Sequence, residues 1–344
     1  MKTFFEILRY GSPGFVYIST LFILINIFGV LCNSLISTIS FIIFSFLLIY
    51  YLKYKYSIYQ NNNSQTNIYI SLLQIVAILY SIFFESAYVT NVFNYISDEN
   101  SGKSDKIFFS IIIILISFAV SMYGKDTLFK LSNLFIIFPV IAIIPCILSL
   151  LNNGVSLKPF ITTDTNVGFE ILNGFIASMI FTADFSFVTN FTKKKKIYKT
   201  HFYSGAFAAV IFTTFFGILS ALLFGKELFK SIKAPLFSAS ATVGIFKFEE
   251  IILTIFSICL LYRFGCKILF IQSVMKKILN TKKLHYFITT SIACASGILG
   301  VCFLNSKNIL SFSYAYGIIN IICFFIIPGL TQLFKKKNIN MPLT

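Results

Sequence analysis

Charged residues are scarce in this sequence. Asp, Glu, Lys and Arg together make up 12% of its 344 residues and apolar types make up 57%, whereas a soluble globular domain carries about 25% charged and about 45–50% apolar residues. The apolar residues form blocks of about 18–25, the length that a helix needs to cross about 30 Å of hydrocarbon. Because backbone polar groups in lipid must be satisfied within the segment, these blocks predict helices. The composition excludes a soluble enzyme and predicts an all-α integral membrane protein.

The sequence also lacks the residue clusters of common catalytic and metal sites. Tryptophan is absent, there are two histidines, and none of the seven cysteines forms a C-x-x-C pair. His201 and His285 are far apart in the sequence, and a metal site needs a cluster of ligands. Phosphate-binding glycine loops and the motifs of zinc proteases and serine hydrolases are missing as well. We therefore expect no metal, no cofactor and no enzymatic activity.

The apolar blocks predict about ten transmembrane helices. The first two blocks are the least clearly separated. Residues 15–51 have the length of two spans with a tight turn at Asn33-Ser34, but one long tilted helix is the alternative. The predicted spans are 15–32, 35–52, 68–93, 107–123, 132–151, 169–191, 203–224, 250–272, 286–304 and 310–333.

Basic residues are distributed unevenly between the two sides of this map. The net charge is +16, and most of the 28 lysines and arginines fall in loops on one side, which the positive-inside rule assigns to the cytoplasm. Both termini are therefore predicted to be cytoplasmic. Lipid headgroups account for the charge, so no nucleic-acid partner is expected. The spans divide into a first repeat at about 15–151 and a second, oppositely oriented repeat at about 169–333, as in inverted-repeat transporters.

Four charged residues lie inside predicted spans, where burying a charge is costly and usually marks function. Arg263 and Lys267 are four residues apart and share a helix face. Arg263 lies deeper and is expected to face the bundle interior, whereas Lys267 either snorkels to the cytoplasmic headgroups or takes part in function. Glu85 lies either near the outer interface or within the site. Asp184 either pairs with Arg263 or sits beside the lysine run that follows it.

Small and hydroxyl residues gather in the middle of span six, at Gly174, Ser178 and Thr182. Two interpretations stay open. Gly174 and Ser178 are one turn apart, which is typical of close helix packing. Alternatively, the helix unwinds locally and its free N–H groups bind a carboxylate. Asn26 and Gly29 in span one show a weaker form of the same pattern.

Several short motifs occur in a characteristic order between residues 121 and 276. They are Gly124-Lys125-Asp126 with Lys130, Leu157-Lys158-Pro159, Gly225-Lys226-Glu227 followed by Pro235, Lys247-Phe248-Glu249, and Lys267. In this order the segment resembles the B subunit of spore germinant receptors, the GerAB-type permeases of the amino acid–polyamine–organocation (APC) superfamily. The chain departs from that family in having no tryptophan in span eight and a lysine instead of an arginine at position 247.

The resemblance implies an APC-type fold of ten transmembrane helices with a five-plus-five inverted repeat. It implies a location in the inner membrane of a bacterial cell or spore, and two partners, a receptor A subunit and a lipoprotein C subunit. The implied role is to bind a small nutrient, often an amino acid, and to help trigger spore germination. A proton- or sodium-coupled secondary amino acid transporter is the alternative, because it would share the fold.

In a broken-helix fold of this kind, the ligand lies between spans one and six, and spans three and eight close the site. The carboxylate of an amino acid would meet N–H groups near Gly174, where the half-helix dipole favours negative charge. Its ammonium would meet carbonyl groups of span one. The expected ligand-binding residues are Asn26, Gly29, Tyr80, Glu85, Gly174, Ser178, Thr182 and Arg263, and the expected buried-charge or coupling residues are Asp184, Glu85, Arg263 and Lys267.

Overall fold

The apolar blocks form helices in the structure, which is a computed structural model. It describes residues 11–19, 31–32, 34–59, 66–96, 103–153, 166–182, 196–224, 248–279, 284–303 and 309–330. Within these ranges the chain is almost entirely helical and contains no strand. After a helical segment at 11–19 come α1 (Leu35–Tyr59), α2 (Thr66–Ile96), α3 (Lys103–Met122), α4 (Lys125–Phe135), α5 (Ile137–Asn153), α6 (Val167–Thr182), α7 (Lys196–Phe224), α8 (Phe248–Leu279), α9 (Leu284–Phe303) and α10 (Ile309–Asn320), which continues into a π-helical turn at Ile321–Ile326.

Six of these helices are long and apolar enough to cross a membrane, or up to seven if a bent pair counts as one span. The structure is therefore compatible with a multi-pass membrane protein. The described helix α6 is apolar but shorter than a full span. The six segments are Leu35–Leu52, Tyr69–Thr90, Thr200–Leu219, Ser257–Lys276, Leu284–Phe303 and Ser311–Leu330.

The chain bends by 116° between α3 and α4. Gly124 lies at the bend with a φ of 84°, a left-handed conformation that glycine adopts without a steric penalty. Leu128 and Ser132 form the buried face of α4, and the hydroxyl of Ser132 lies 3.0 Å from that of Ser12 in the segment 11–19. The predicted span 132–151 is accordingly divided, because α4 ends at Phe135 and α5 begins at Ile137.

The start of α1 is defined by a reciprocal cap. The hydroxyl of Ser34 accepts a hydrogen bond from the backbone N–H of Ser37 at 3.1 Å, and the hydroxyl of Ser37 accepts one from the N–H of Ser34 at 3.1 Å. Such bonds satisfy N–H groups that have no partner within the first helical turn. Cys32 and Ser34 lie outside helix. The helix that begins at Leu35 is therefore a separate element and not the continuation of an earlier one.

Close helix pairs surround the middle of the bundle. Helix α1 packs along α6, α2 packs along α9, and α8 packs along α3. A side chain at Gly300 in α9 would overlap the carbonyl oxygen of Phe83 in α2, so this glycine permits the two backbones to approach. Aromatic pairs fill the α1–α6 interface, where the rings of Phe41 and Phe181 lie 5.4 Å apart. Helices α2 and α8 also contact each other directly.

Candidate functional site

Three charged side chains meet inside the bundle, Glu85 from α2 and Arg263 and Lys267 from α8. All three side chains are completely buried, with 0% exposure. The Arg263 Nε donates a hydrogen bond to Glu85 Oε1 at 2.9 Å, and Nη2 lies 2.9 Å from the same oxygen. The Lys267 Nζ donates to the other oxygen, Oε2. We call these three residues the charge cluster.

The segment 11–19 closes one side of the charge cluster. The Arg263 Nη1 donates a hydrogen bond to the backbone carbonyl of Tyr17 at 2.9 Å. The guanidinium carbon also lies 4.3 Å from the centroid of the Tyr17 ring, within the range in which a cation is attracted to an aromatic face. Arg263 therefore joins α8 to both α2 and the N-terminal helical segment.

Helix α10 closes another side of the charge cluster through the Tyr316 hydroxyl, which meets the Ser81 hydroxyl of α2. The Ser81 hydroxyl lies 3.2 Å from Glu85 Oε1 and 2.6 Å from the Tyr316 hydroxyl, and it accepts a hydrogen bond from Lys267 Nζ. A serine has one donor and two acceptor positions. This set is complete if Ser81 donates to Glu85 and accepts from Tyr316 and Lys267. The charge cluster thus connects three helices and the segment 11–19.

The energy of this arrangement depends on Glu85. Taking charges out of water is costly, and their mutual attraction compensates only when the geometry is good and the remaining hydrogen-bonding positions are filled. Among the described residues, Glu85 is the carboxylate that faces two cations, and it accepts from both. Removing the Glu85 side chain would therefore take away the carboxylate to which both Arg263 and Lys267 donate.

The position of the Lys267 side chain does not fit the interpretation that its ammonium reaches the headgroups. A snorkelling lysine would extend to the surface of the bundle, whereas the Lys267 ammonium is fully buried against Glu85. Glu85 is likewise inside the bundle and not at its periphery. The contact between the Lys267 ammonium and the Glu85 carboxylate therefore lies inside the bundle.

The candidate residues of α6 lie elsewhere. Gly174 packs against α1, where a Cβ would overlap the Ser37 carbonyl oxygen and lie 2.9 Å from the Phe41 nitrogen. The hydroxyls of Ser178 and Thr182 are buried and donate to carbonyls of their own helix, those of Phe175 and Ser178. No hydrogen bond within the described residues joins them to the charge cluster. The packing interpretation accounts for the position of Gly174.

Of the remaining predicted site residues, Tyr80 is the one that the structure describes. The Tyr80 hydroxyl donates to the Phe312 carbonyl at 3.3 Å, and its ring lies 6.1 Å from that of Tyr316. Tyr80 therefore lines the α2–α10 contact beside the charge cluster. Asn26, Gly29 and Asp184 lie outside the described residues.

Sequence reasoning did not identify the contribution of α10. Tyr316 reaches the charge cluster, the Tyr314 hydroxyl donates to the Asn173 side chain of α6, and the Asn320 amide lies 3.5 Å from the Met179 carbonyl. Nothing in the local sequence of α10 indicates these partners. Ser81, by contrast, is one turn before Glu85 on the same helix face, and this spacing is a signal that points to it.

A second buried carboxylate, Glu170, was also missed. It is 3% exposed in the first turn of α6, and it accepts a hydrogen bond from the Ser34 hydroxyl at 2.7 Å. This bond ties α6 to the start of α1. Among the described residues no group of three or more His, Cys, Asp or Glu side chains could hold a metal ion.

Comparison with known proteins adds no family to this description. No protein-family model matches the chain, and no curated protein matches it.

The burial of Lys267 leads to a testable expectation. Lys267→Arg should lower the free energy of unfolding by about 1–3 kcal/mol, because a larger, forked head group must enter a packed interior. The matched control is Lys276→Arg, at an exposed position of the same helix, which should change little. Thermal unfolding of both purified variants would measure the difference. Equal stability of the two variants would contradict a buried Lys267.

Proposed function

We propose that this chain is the membrane subunit of a nutrient germinant receptor, with an APC-type fold of ten helices, and that it binds a small nutrient such as an amino acid. The motifs between Gly124 and Lys267 support the family assignment through their resemblance to GerAB-type permeases. The single observation that carries a ligand-responsive role is the charge cluster. A charged group buried among membrane spans usually belongs to a substrate or ion pathway.

The connections of the charge cluster support a switching role. A ligand carboxylate offers Arg263 and Lys267 the same kind of acceptor as Glu85. Exchange of Glu85 for the ligand would loosen the link between α2 and α8, and so shift the balance between two conformations. We place the ligand carboxylate here and not beside Gly174, because α1 occupies the space next to that glycine.

The second candidate function is secondary transport of an amino acid driven by a proton or sodium gradient. The same observation favours it, since buried ionisable residues such as Glu85 and Lys267 also serve ion-coupled transporters. The two functions share a fold, so the fold does not separate them. Coupled uptake separates them, because a receptor needs no net movement of its ligand.

The deciding experiment is a deletion of the gene in its host, scored for spore germination against a panel of nutrients. If the chain is a receptor subunit, the deletion strain should lose the response to one nutrient class and germinate normally with triggers that are independent of nutrients. Expression of the wild-type chain should restore the response. The transporter would instead be established if vesicles containing the chain take up radiolabelled amino acids and spores of the deletion strain germinate normally.

The proposed orientation has its own test. Both termini are expected in the cytoplasm and the loop 94–106 outside, because basic residues concentrate on the terminal side of the membrane. In a chain otherwise free of reactive cysteine, Ser101→Cys should react with a membrane-impermeant maleimide added to intact cells. Asn63→Cys should react only after the membrane is opened. Labelling of Asn63→Cys in intact cells would overturn this orientation.

The proposed partners are the A subunit and the lipoprotein C subunit of the same receptor, in the inner membrane of a cell or spore. They enter through the family resemblance. Co-purification of the two partners with the tagged chain from spore membranes would support the receptor. Recovery of the chain alone, from membranes in which both partners are present, would count against it.

A further inference from the structure

Asn320 ends the regular part of α10 in an unusual environment. Its side chain is completely buried. Its amide nitrogen points to the Met179 carbonyl of α6 at 3.5 Å, while its amide oxygen has no hydrogen-bond partner within the described part of the chain. Buried polar atoms in proteins nearly always have a partner. An acceptor left open inside a helix bundle is a place where a donor from a ligand can bind.

The orientation of this amide is determined by its neighbour. An amide can be turned over so that oxygen and nitrogen exchange places, and the hydrogen-bond network decides between the two. The Met179 carbonyl is an acceptor, so it requires the nitrogen of Asn320 on its side. The amide oxygen of Asn320 must therefore point away from the Met179 carbonyl.

The helix geometry indicates where this oxygen lies. Tyr316 faces α2, where it contacts Ser81, and Gly317 faces α6, where a Cβ would lie 2.8 Å from Ile176. Successive helical residues are rotated by about 100°, so Asn320 lies about 40° from Tyr316 in the direction of Gly317. Asn320 thus lies on the side of α10 between the direction of α2 and the direction of α6, one turn from the residue that reaches the charge cluster.

The backbone at this level is irregular as well. A π-helical turn, Ile321–Ile326, begins directly after Asn320 and packs against α2. Such turns interrupt the regular hydrogen bonding of a helix and occur frequently at functional sites. In a membrane span, irregular backbone is tolerated where it is buried in protein or lines a cavity. The open amide oxygen and the irregular turn are two separate observations at the same position.

We infer that Asn320 is a ligand-binding residue whose amide oxygen accepts a hydrogen bond from the ammonium group of the small nutrient. This inference rests on the proposed function. With the ligand carboxylate at Arg263 and Lys267, the other polar end of an α-amino acid needs an acceptor nearby. Tyr316, whose hydroxyl meets Ser81 beside the charge cluster, and Asn320 are about 6 Å apart along α10, so this acceptor lies one helical turn beyond the residue that reaches the charge cluster.

Binding to purified protein in nanodiscs tests this role. The probes are the twenty standard L-amino acids, and for each binder the matching carboxylic acid, in which a hydrogen atom replaces the ammonium and no donor remains at that carbon. Asn320→Ala should weaken amino acid binding at least tenfold and leave binding of the matching carboxylic acid without the ammonium within about threefold. Asn320→Asp, which retains the shape and adds a negative charge, should bind the amino acid at least as tightly as the wild type.

The matched control is Asn173→Ala. Asn173 is also a buried asparagine, but its side-chain oxygen is occupied by the Tyr314 hydroxyl. Its replacement should leave the preference for the amino acid over the matching carboxylic acid without the ammonium unchanged. The unfolding temperature of each variant separates loss of the site from loss of the fold, and Asn320→Leu, an apolar side chain of similar volume with the same expected loss of amino acid binding, is the second variant if Asn320→Ala is unstable.

The outcomes separate this inference from the proposed function. Unchanged amino acid affinity in Asn320→Ala would overturn the inference and leave the function standing. If no amino acid binds but methylamine or ethanolamine binds in an Asn320-dependent manner, the nutrient class is wrong and the ammonium site is right. If neither amino acids nor these amines bind to the wild-type chain, both proposals fail.

Discussion

Replacing Glu85 by glutamine should destabilise the protein by about 3–5 kcal/mol, because it removes the negative charge that Arg263 and Lys267 both contact inside the bundle. Glu85 accepts hydrogen bonds from both Arg263 and Lys267, and all three side chains are completely buried. Thermal unfolding of the purified variant and its abundance in the membrane would measure the effect. Arg263→Leu should be similarly damaging, since it also breaks the bond to the Tyr17 carbonyl.

The matched control for Glu85 is Glu170→Gln. Glu170 is buried too, but it accepts from the hydroxyl of Ser34, and the amide oxygen of glutamine can accept the same bond. Its replacement should cost only about 1 kcal/mol, the order of a single hydrogen bond. If the two glutamine variants have the same stability, the carboxylate of Glu85 does not stabilise the bundle through its charge.

Removing the whole charge cluster separates stability from function. Buried ion pairs replaced together by apolar residues of similar volume are often neutral or stabilising. The triple variant Glu85→Leu, Arg263→Leu and Lys267→Leu should therefore regain most of the abundance that Glu85→Gln loses. It should still give no response to any nutrient. A triple variant with normal function would show that the charge cluster serves only the fold.

Gly174→Ala should sharply reduce the amount of folded protein. A Cβ there would overlap the Ser37 carbonyl oxygen and lie 2.6 Å from the Ser40 Cβ, and the α1 backbone cannot move aside as a flexible side chain can. Overpacking of a filled interior costs about 1–3 kcal/mol, and a clash with backbone belongs at the upper end of that range. Membrane abundance and the unfolding temperature are the measurements.

Gly168→Ala is the control for Gly174. Both glycines are in α6, but a Cβ at Gly168 would have the side-chain oxygen of Asn166 as its nearest neighbour, at 3.4 Å. Alanine there should be tolerated, because no atom lies closer than ordinary van der Waals contact. Normal abundance of Gly174→Ala together with a tenfold shift in the nutrient concentration for half response would favour the ligand-binding interpretation over packing.

The sequence by itself determined the class of the protein and the position of most helices. A span predicted at 286–304 corresponds to Leu284–Phe303, and one at 107–123 corresponds to Lys103–Met122. Such predictions succeed because hydrophobicity and length are local properties, and because lipid allows hardly any conformation except helix. Charge is rare in apolar spans, and this rarity alone marks Glu85, Arg263 and Lys267 as candidate functional residues.

Only the tertiary structure decided which of these residues meet. Lys267 could have reached the headgroups or the interior, and the choice depended on whether α2 brings Glu85 within its reach. Gly174 became a packing residue because α1 lies against it. Tyr316 contacts Ser81 and Asn320 contacts Met179, and in both pairs the two residues are more than a hundred positions apart in the sequence. A partner so distant in sequence leaves no local pattern, since its proximity is set by how helices pack and not by the composition of either helix.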